Sequence, residues 1–352
     1  MKGKIGVGLL LLTVIGSILF WPASRSDADV RKLYIYNWSE YMPPEILEDF
    51  TDETGIEVIL TTYDSNESMY AKLKMLDATG YDLVVPSSYF VSKLREEQLI
   101  RPLDKSRIDH LENLSPLFLN KDYDPNNTYS LPYLWGATAI GVNAEFIDPS
   151  SITSWRDLWN PKYRGQILLM NDVREVFHIA LRSLGYSANS KNPKEIKAAY
   201  RSLQQLMPNV AVFNSDAPER PYLSEDVYLG MLWNGSAFKA IQDNPNIKFI
   251  YPKEGAVLWM DNIAIPQNAQ HIDEAYVMIN YLLRPEVAAK ISAKIGYPTP
   301  NQAAKAMMDA SFATNDVIFP PTAIIQAGEF QSTVGEANPL YNEYWQKLKT
   351  QQ

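Results

Sequence analysis

Short apolar runs alternate with amphipathic stretches from position 33 of the chain onward. The first elements that this pattern predicts are strands at 33–38, 56–63 and 81–86, with helices at 43–54 and 68–76. The run DLVVP at 82–86 has no polar side, which is expected of a strand that is covered on both faces. Alternating strands and helices predict an α/β fold in which helices cover a parallel sheet.

A second α/β set follows the first. Its predicted elements are strands at 166–170, 209–213, 227–233 and 248–251 and helices at 174–184, 193–207 and 236–244. The helix at 193–207 has a clear helical period, because its apolar positions fall on one face: Ile196, Ala199, Tyr200, Leu203 and Leu206. Further helices are predicted at 272–283 and 285–295.

Two extended apolar segments connect these sets, LPYLWGATAIGVN at 131–143 and AVLWMDNIAIP at 256–266. Because the chain passes twice between the two sets through these long segments, we expect two lobes with a cleft between them. The expected division is lobe 1 at 29–136 with 262–305 returning to it, and lobe 2 at 137–261 with 306–352 returning to it. Because ligands of parallel sheets bind at the carboxyl ends of strands, the cleft is the expected site.

The first residues have the layout of a secretory signal, since Lys2 and Lys4 precede an uncharged apolar stretch at 5–21. Small residues favour cleavage after Ala28, which makes residues 1–28 a signal peptide and the remainder an exported protein. An uncleaved anchor is the alternative, because the apolar stretch lies at the lower limit of a membrane span.

Composition disfavours several functional classes. The chain has no cysteine, which excludes a lipid-modified cysteine, disulfides and thiol chemistry, and its formal charge of −9 argues against nucleic-acid binding. No two of His110, His178 and His271 have metal-ligand spacing, so no metal site is expected. The usual nucleotide-binding and hydrolase motifs do not occur in the sequence. We therefore expect no cofactor, and an enzymatic function is disfavoured.

Asp261 interrupts the apolar run at 256–266. No Lys or Arg occurs between positions 255 and 272, so a buried Asp261 needs a cation from a distant segment or from a ligand. Trp259 lies two positions earlier and points to the same side of a strand. A carboxylate beside an indole suits an organic ammonium ion. The alternative is a strand end where Asp261 meets water or caps a turn.

Two polar clusters follow predicted strands, Ser39-Glu40-Tyr41 after the first strand and Ser87-Ser88-Tyr89 after the third. Ser39 and Ser87 also suit helix N-caps, although capping does not explain the Glu and Tyr residues beside them. In the second lobe, Asp172 and Glu175 share one helical face. This pair also resembles a capping box, so capping is the alternative there.

Taken together, the segments NWSEY at 37–41, YDLVVPSSYF at 81–90, LPYLWGATAIGVN at 131–143, DVREVF at 172–177, MLWNGSAF at 231–238, PKEGAVLWMD at 252–261, IGYPTPN at 295–301 and GEFQ at 328–331 carry a family resemblance. The chain resembles the periplasmic spermidine/putrescine-binding proteins of bacterial polyamine transporters, and within them the spermidine-preferential branch. The similarity runs from about position 33 to 348. It implies a two-lobed, type II periplasmic binding protein with a ligand cleft between the lobes.

The resemblance also implies a set of ligand contacts. It implies that one end of the cleft is formed by Ser39, Glu40, Tyr41, Ser87 and Tyr89. It implies that a terminal amine is bound by Asp172 and Glu175 and that the secondary amine is bound by Asp261. The methylene chain would lie among Trp233, Trp259 and Tyr297, and Gln331 would make a further contact with an amine. Ser39 departs from the family pattern, where threonine occurs, but both residues supply a hydroxyl group.

The expected function is therefore transport and not catalysis. The exported protein would capture spermidine, preferred over putrescine, in the periplasm and deliver it to the permease of an ABC transporter. A carboxylate-dependent exported glycosidase is the alternative, with Glu40, or Asp172 and Glu175, as acid and base. Against it, two carboxylates one helical turn apart leave no obvious place for a sugar. A structural or adhesive surface protein would lack a saturable site for a small molecule.

Overall fold

The computed structural model describes residues 31–350. The predicted signal peptide at 1–28 lies outside the described residues. The strands are β1 (Arg31–Trp38), β2 (Ile56–Tyr63), β3 (Leu83–Val84), β4 (Ser130–Asn143), β5 (Ile167–Leu169), β6 (Val210–Phe213), β7 (Leu229–Trp233), β8 (Ile247–Ile250), β9 (Val257–Ala264) and β10 (Glu329–Phe330).

The α-helices are α1 (Pro44–Thr54), α2 (Asn66–Met75), α3 (Ser88–Glu96), α4 (Val173–Ser183), α5 (Pro193–Leu206), α6 (Arg220–Leu223), α7 (Asn234–Asp243), α8 (Ile272–Leu282), α9 (Pro285–Ile295), α10 (Gln302–Lys305), α11 (Ala310–Ala313), α12 (Thr322–Ala327) and α13 (Asn338–Lys349). Short 3-10 turns occur at 105–107, 111–113, 116–118, 125–127, 149–151, 155–159, 161–163, 207–209 and 335–337. Among the residues that the structure describes, no helix has the length and apolar character needed to cross a membrane.

All strands belong to one mixed sheet with the order β2-β1-β3-β9-β4-β7-β5-β6, while β10 pairs with β9 and β8 pairs with β4. The predicted parallel pairing is confirmed at both ends of the sheet, where β1 pairs with β2 and β3, and β5 pairs with β6 and β7. It is wrong for the centre. There β9 returns between β3 and β4 and runs antiparallel to both, so the two parallel parts meet across antiparallel strands.

The two extended segments predicted from the sequence form β4 and β9, and every residue of both strands is buried. Their pairing places Leu134 opposite Asp261 and Gly136 opposite Trp259. Asp261 therefore lies inside a buried strand, with 6% of its surface exposed. The alternative of a solvated strand end is wrong, because β4 covers this position on one edge and Ser87 bridges to it on the other.

Separate hydrophobic cores lie on the two sides of this central pair. One core contains Trp155, Phe177 and Leu203, and the C-terminal Tyr341 packs edge-on against Phe177. The other contains Phe50 and further residues from α1, β1, α8 and α9. The predicted buried face of α5 is confirmed at Ile196, Ala199, Leu203 and Leu206, while Tyr200 is half-buried.

Candidate ligand-binding cleft

A cleft of about 730 Å³ opens where the ends of β1 and β9 meet α4 and α7. Of the residues that the sequence assigned to a site, all except Tyr89 line it. The lining residues are Trp38, Ser39, Glu40, Tyr41, Tyr63, Ser87, Asp172, Glu175, Ser215, Asp216, Ala217, Pro218, Glu219, Trp233, Ser236, Lys239, Trp259, Asp261, Tyr297 and Gln331.

Asp261 accepts hydrogen bonds from two hydroxyl groups, one between β1 and α1 and one just before α3. The Ser87 hydroxyl donates to Oδ1 at 2.6 Å, and the Tyr41 hydroxyl donates to Oδ2 at 2.8 Å. Burial raises the pKa of Asp261 to about 7, although these two bonds oppose the shift and the charge of Asp172 adds to it. A nearby cation would therefore favour the ionised form of Asp261 and lower its pKa.

Asp172 both caps a helix and lines the cleft. Its Oδ1 accepts hydrogen bonds from the backbone N–H groups of Arg174 and Glu175 at 2.8 and 2.9 Å, which caps helix α4. The capping alternative is therefore confirmed for Asp172, but the residue also lines the cleft. Its Oδ2 accepts a bond of 2.8 Å from the hydroxyl of Tyr89, which lies behind it.

Glu175 is 5% exposed and turns one carboxylate oxygen towards Trp233. The Trp233 indole N–H donates to Oε1 at 2.9 Å, whereas Oε2 is buried without a hydrogen bond of good geometry. Burial raises the pKa of Glu175, and the nearby charge of Asp172 raises it further. Trp233 and the Thr138 hydroxyl oppose the rise in the pKa of Glu175. An unpaired buried carboxylate oxygen at the wall of a cleft is suited to a donor from a ligand.

One amide connects the supports of these carboxylates. The buried Asn66 donates from Nδ2 to the Ser87 hydroxyl at 3.1 Å and to the Tyr89 hydroxyl at 3.0 Å. Those hydroxyls in turn donate to Asp261 and Asp172. Ser87 occupies the N-cap position of α3, as the alternative predicted, but its side chain makes no cap bond and donates to Asp261 instead. Asn66 thus orients donors for two carboxylates at once.

The capping alternative for Ser39 is wrong, because α1 begins at Pro44 with Pro43 at its N-cap. Its neighbour Glu40 has a positive φ of 53° and stands at the mouth of the cleft, with 53% of its side chain exposed. Two cations of the protein pair with its carboxylate, Lys239 at 3.1 Å and Arg220 at 3.7 Å.

An aromatic wall lies beside the carboxylates. The Tyr297 ring makes edge-to-face contacts with Trp259 at 5.4 Å and with Tyr41 at 5.5 Å between centroids. Two glycines permit this packing. A Cβ atom on Gly136 would lie 2.4 Å from the Trp259 ring, and one on Gly235 would lie 2.4 Å from the Tyr297 ring. Each glycine is therefore required by the ring that packs against it.

Gln331 directly follows β10, which pairs with the start of β9, and its side chain lines the cleft. Its backbone N–H donates to Leu258 O at 2.8 Å, and its carbonyl accepts from the Ser88 hydroxyl at 2.7 Å. The side-chain Nε2 is buried and finds no acceptor among residues 31–350.

Sequence reasoning missed part of the site. The missed residues are Trp38, Tyr63, Asn66, Ser236, Lys239 and the segment Ser215 to Glu219. The Ser215–Glu219 segment is irregular, so it has no hydrophobic period that could have placed it. Asn66 and Lys239 lie on helices whose hydrophobic pattern predicts the helix but not the residue that its polar face meets.

Comparison with known proteins places the chain in a family. A family model described as bacterial extracellular solute-binding protein matches residues 45–321, and the chain belongs to this family. The spermidine/putrescine-binding periplasmic protein of Escherichia coli (strain K12) is 53% identical, over 96% of this chain and 97% of that protein. A putrescine-binding periplasmic protein of the same strain is 32% identical, over 96% of each.

A solved structure supports the same fold. The putative spermidine/putrescine ABC transporter protein from Listeria monocytogenes superposes with a TM-score of 0.87 at 34% identity, covering 92% of this chain and 100% of that chain. The fold is that of the two-lobed solute-binding proteins, as the sequence predicted. The relatives are solute-binding proteins of transport systems and not enzymes, so the glycosidase alternative is not supported.

The raised pKa of Asp261 predicts a stability that falls as pH rises. Because the folded carboxyl holds its proton up to about pH 7 and the unfolded one only to about pH 4, the ligand-free protein should lose stability between these values. Asp261→Asn removes this effect. At pH 8 the variant should be more stable than the wild type by on the order of 2–4 kcal/mol, as measured by urea unfolding.

The matched control is Asp243→Asn, which removes the same charge from an exposed position on α7. It should follow the wild-type curve from pH 4 to pH 8. An Asp261→Asn protein that is less stable than the wild type at pH 8 would contradict this account of the buried carboxyl.

Asn66→Ala should destabilise the fold by about 1–3 kcal/mol, because the buried Ser87 and Tyr89 hydroxyls each lose a donor. The free energy of unfolding from urea titration at pH 6 measures this cost. Asn342→Ala, at a half-buried position on α13, is the control and should change stability by less than about 0.5 kcal/mol. Equal effects of the two substitutions would rule out a supporting role for Asn66.

Proposed function

We propose that this protein is a periplasmic receptor for polyamines, with spermidine preferred over putrescine, that delivers its ligand to the permease of an ABC transporter. One observation carries the proposal. Asp172, Glu175 and Asp261 are all buried at the wall of one cleft, and no Lys or Arg of the described chain lies within ion-pairing distance of them.

Buried carboxylates without a counter-charge favour a cationic ligand. Moving an ionised carboxylate out of water costs several kcal/mol, which an ammonium group of a ligand would offset. The indole and phenol rings between the carboxylates suit methylene groups, and each ring that faces a desolvated ammonium ion adds up to about 2 kcal/mol. A flexible chain that alternates ammonium and methylene groups matches both features.

The proposed roles follow the grouping given by the resemblance. Asp172 and Glu175 receive a terminal amine, and Glu175 Oε2 is the buried acceptor available for it. Asp261 pairs with the secondary amine. The rings of Trp233, Trp259 and Tyr297 enclose the methylene chain.

The remaining predicted residues complete the proposed site. Ser39, Glu40 and Tyr41 with Ser87 lie at the other end, and Gln331 would contact an amine through its side-chain carbonyl oxygen, because its Nε2 group can only donate. Tyr89 does not line the cleft, so we propose that it acts through its hydrogen bond to Asp172 and not by touching the ligand.

The printed names of the relatives support the ligand class. The protein from E. coli at 53% identity is named for spermidine and putrescine, and the one at 32% identity for putrescine. Both are described as periplasmic, which supports export of this chain. We propose that the signal peptide is cleaved after Ala28. We also propose the lobe division at 29–136 with 262–305, and 137–261 with 306–352.

The charge spacing predicts that spermidine binds at least tenfold more tightly than putrescine, or by about 1.4 kcal/mol. Putrescine has two amines and would leave one buried carboxylate uncompensated. Asp261→Asn should weaken spermidine binding by roughly 2–5 kcal/mol and narrow the gap between the two ligands. Calorimetric titration of both ligands into both proteins gives the four affinities of a double-mutant cycle.

Asp243→Asn serves again as the exposed control and should leave all affinities unchanged. Equal wild-type affinities for the two amines, or a gap that survives Asp261→Asn intact, would refute the assignment of Asp261 to the secondary amine. Failure of the wild type to bind any polyamine would refute the proposed function itself.

A further inference from the structure

Glu40, which the resemblance assigns to one end of the cleft, already pairs with two cations of the protein. Glu40 is half-exposed and pairs with Lys239 on α7 and with Arg220 at the start of α6. These cations lie on the opposite side of the mouth from the β1–α1 loop that carries Glu40. An ammonium ion that bound Glu40 would have to compete with both of them.

A second carboxylate lines the same cleft and has no such partner. Glu219 is 8% exposed, and within the described chain it makes no ion pair and accepts no side-chain hydrogen bond. It ends the irregular segment after β6 in which Ala217 adopts a positive φ of 51°. A residue with a Cβ seldom adopts this conformation, which suggests that the backbone is held there to direct the segment into the cleft.

Glu219 lies close to the aromatic wall. It lines the same cleft as Tyr297, Ser236 and Asp261. Burial raises the pKa of Tyr297, the hydrogen bond with Ser236 opposes this shift, and the charges of Glu219 and Asp261 add to it. The Tyr297 hydroxyl also lies 3.4 Å from the Ser236 hydroxyl. This part of the cleft wall therefore offers carboxylates, an aromatic ring and hydroxyl groups, and these are the groups that suit a primary ammonium ion.

We propose that Glu219 supplies the carboxylate for the second terminal ammonium of the bound polyamine, beside Tyr297 and Ser236, while Lys239 and Arg220 hold Glu40 in an ion-pair network across the mouth. This assignment rests on the proposed function. It moves the outer anchor of the ligand from an exposed, paired carboxylate to a buried, unpaired one, where an ion pair is worth more.

Glu219→Gln, Glu40→Gln and Glu225→Gln test the assignment, since each removes one negative charge by the same substitution. Glu225 is exposed and lies six positions beyond Glu219. Calorimetric titration with spermidine should show at least a tenfold loss for Glu219→Gln, less than threefold for Glu40→Gln, and none for Glu225→Gln. The opposite order for Glu219 and Glu40 would overturn the proposal.

Spermidines acetylated at one or the other terminal nitrogen give a second test. Acetylation removes one ammonium charge, so each form should bind the wild type more weakly than spermidine. For the form that lacks the amine held by Glu219, this loss should largely disappear in Glu219→Gln. If both acetyl penalties persist in that variant, Glu219 contacts neither terminal amine and the proposal fails.

The outcomes separate this assignment from the proposed function. A wild type that binds spermidine, with a Glu219→Gln variant of equal affinity, overturns the role of Glu219 alone. A wild type that binds no polyamine overturns both. Thermal unfolding checks that each variant is folded, and Glu219→Ala repeats the test without an amide if the glutamine variant is not.

Discussion

The site depends on holding several carboxylates out of water beside one another without a counter-ion from the protein. Asp261 and Asp172 are kept in place by hydroxyl groups of Ser87, Tyr41 and Tyr89, and not by lysine or arginine. Neutral donors orient a carboxylate without cancelling its charge. The acidic groups of the cleft therefore stay available to a polycation, which would supply the counter-charge that an internal salt bridge would otherwise have provided.

The central strands explain how this arrangement is reached. β9 carries both Trp259 and Asp261 into the middle of the sheet, where β4 covers one edge and the start of α3 lies at the other. A charge in such a position would normally be excluded from a strand. It is tolerated because Ser87, at the end of the neighbouring short strand, bonds to it directly. The fold thus places the carboxyl group of Asp261 within a buried strand, and the hydroxyl group that bonds to it comes from a separate segment of the chain.

Local pattern in the sequence predicted the elements well and the long-range pairings poorly. Strand β2 and helix α9 have the predicted bounds, because Gly55 precedes the strand and Pro285 and Gly296 mark the two ends of the helix. The antiparallel centre was missed, since nothing within 256–266 indicates which strand it pairs with. The carboxylates were found because charge within an apolar run is conspicuous. Asn66 and Glu219 were not, because a polar residue at a helix start or in a loop is unremarkable until its neighbours are known.

The hydrogen bonds of Asn66 have a consequence for altering ligand choice. One side-chain nitrogen supports Ser87 and Tyr89 together, so the positions of Asp261 and Asp172 are geometrically linked through a single rigid group. A redesign for a shorter or longer ligand would have to change the spacing between these two anions. Asn66 is one position from which that spacing could be changed, because it lies behind both hydroxyl groups.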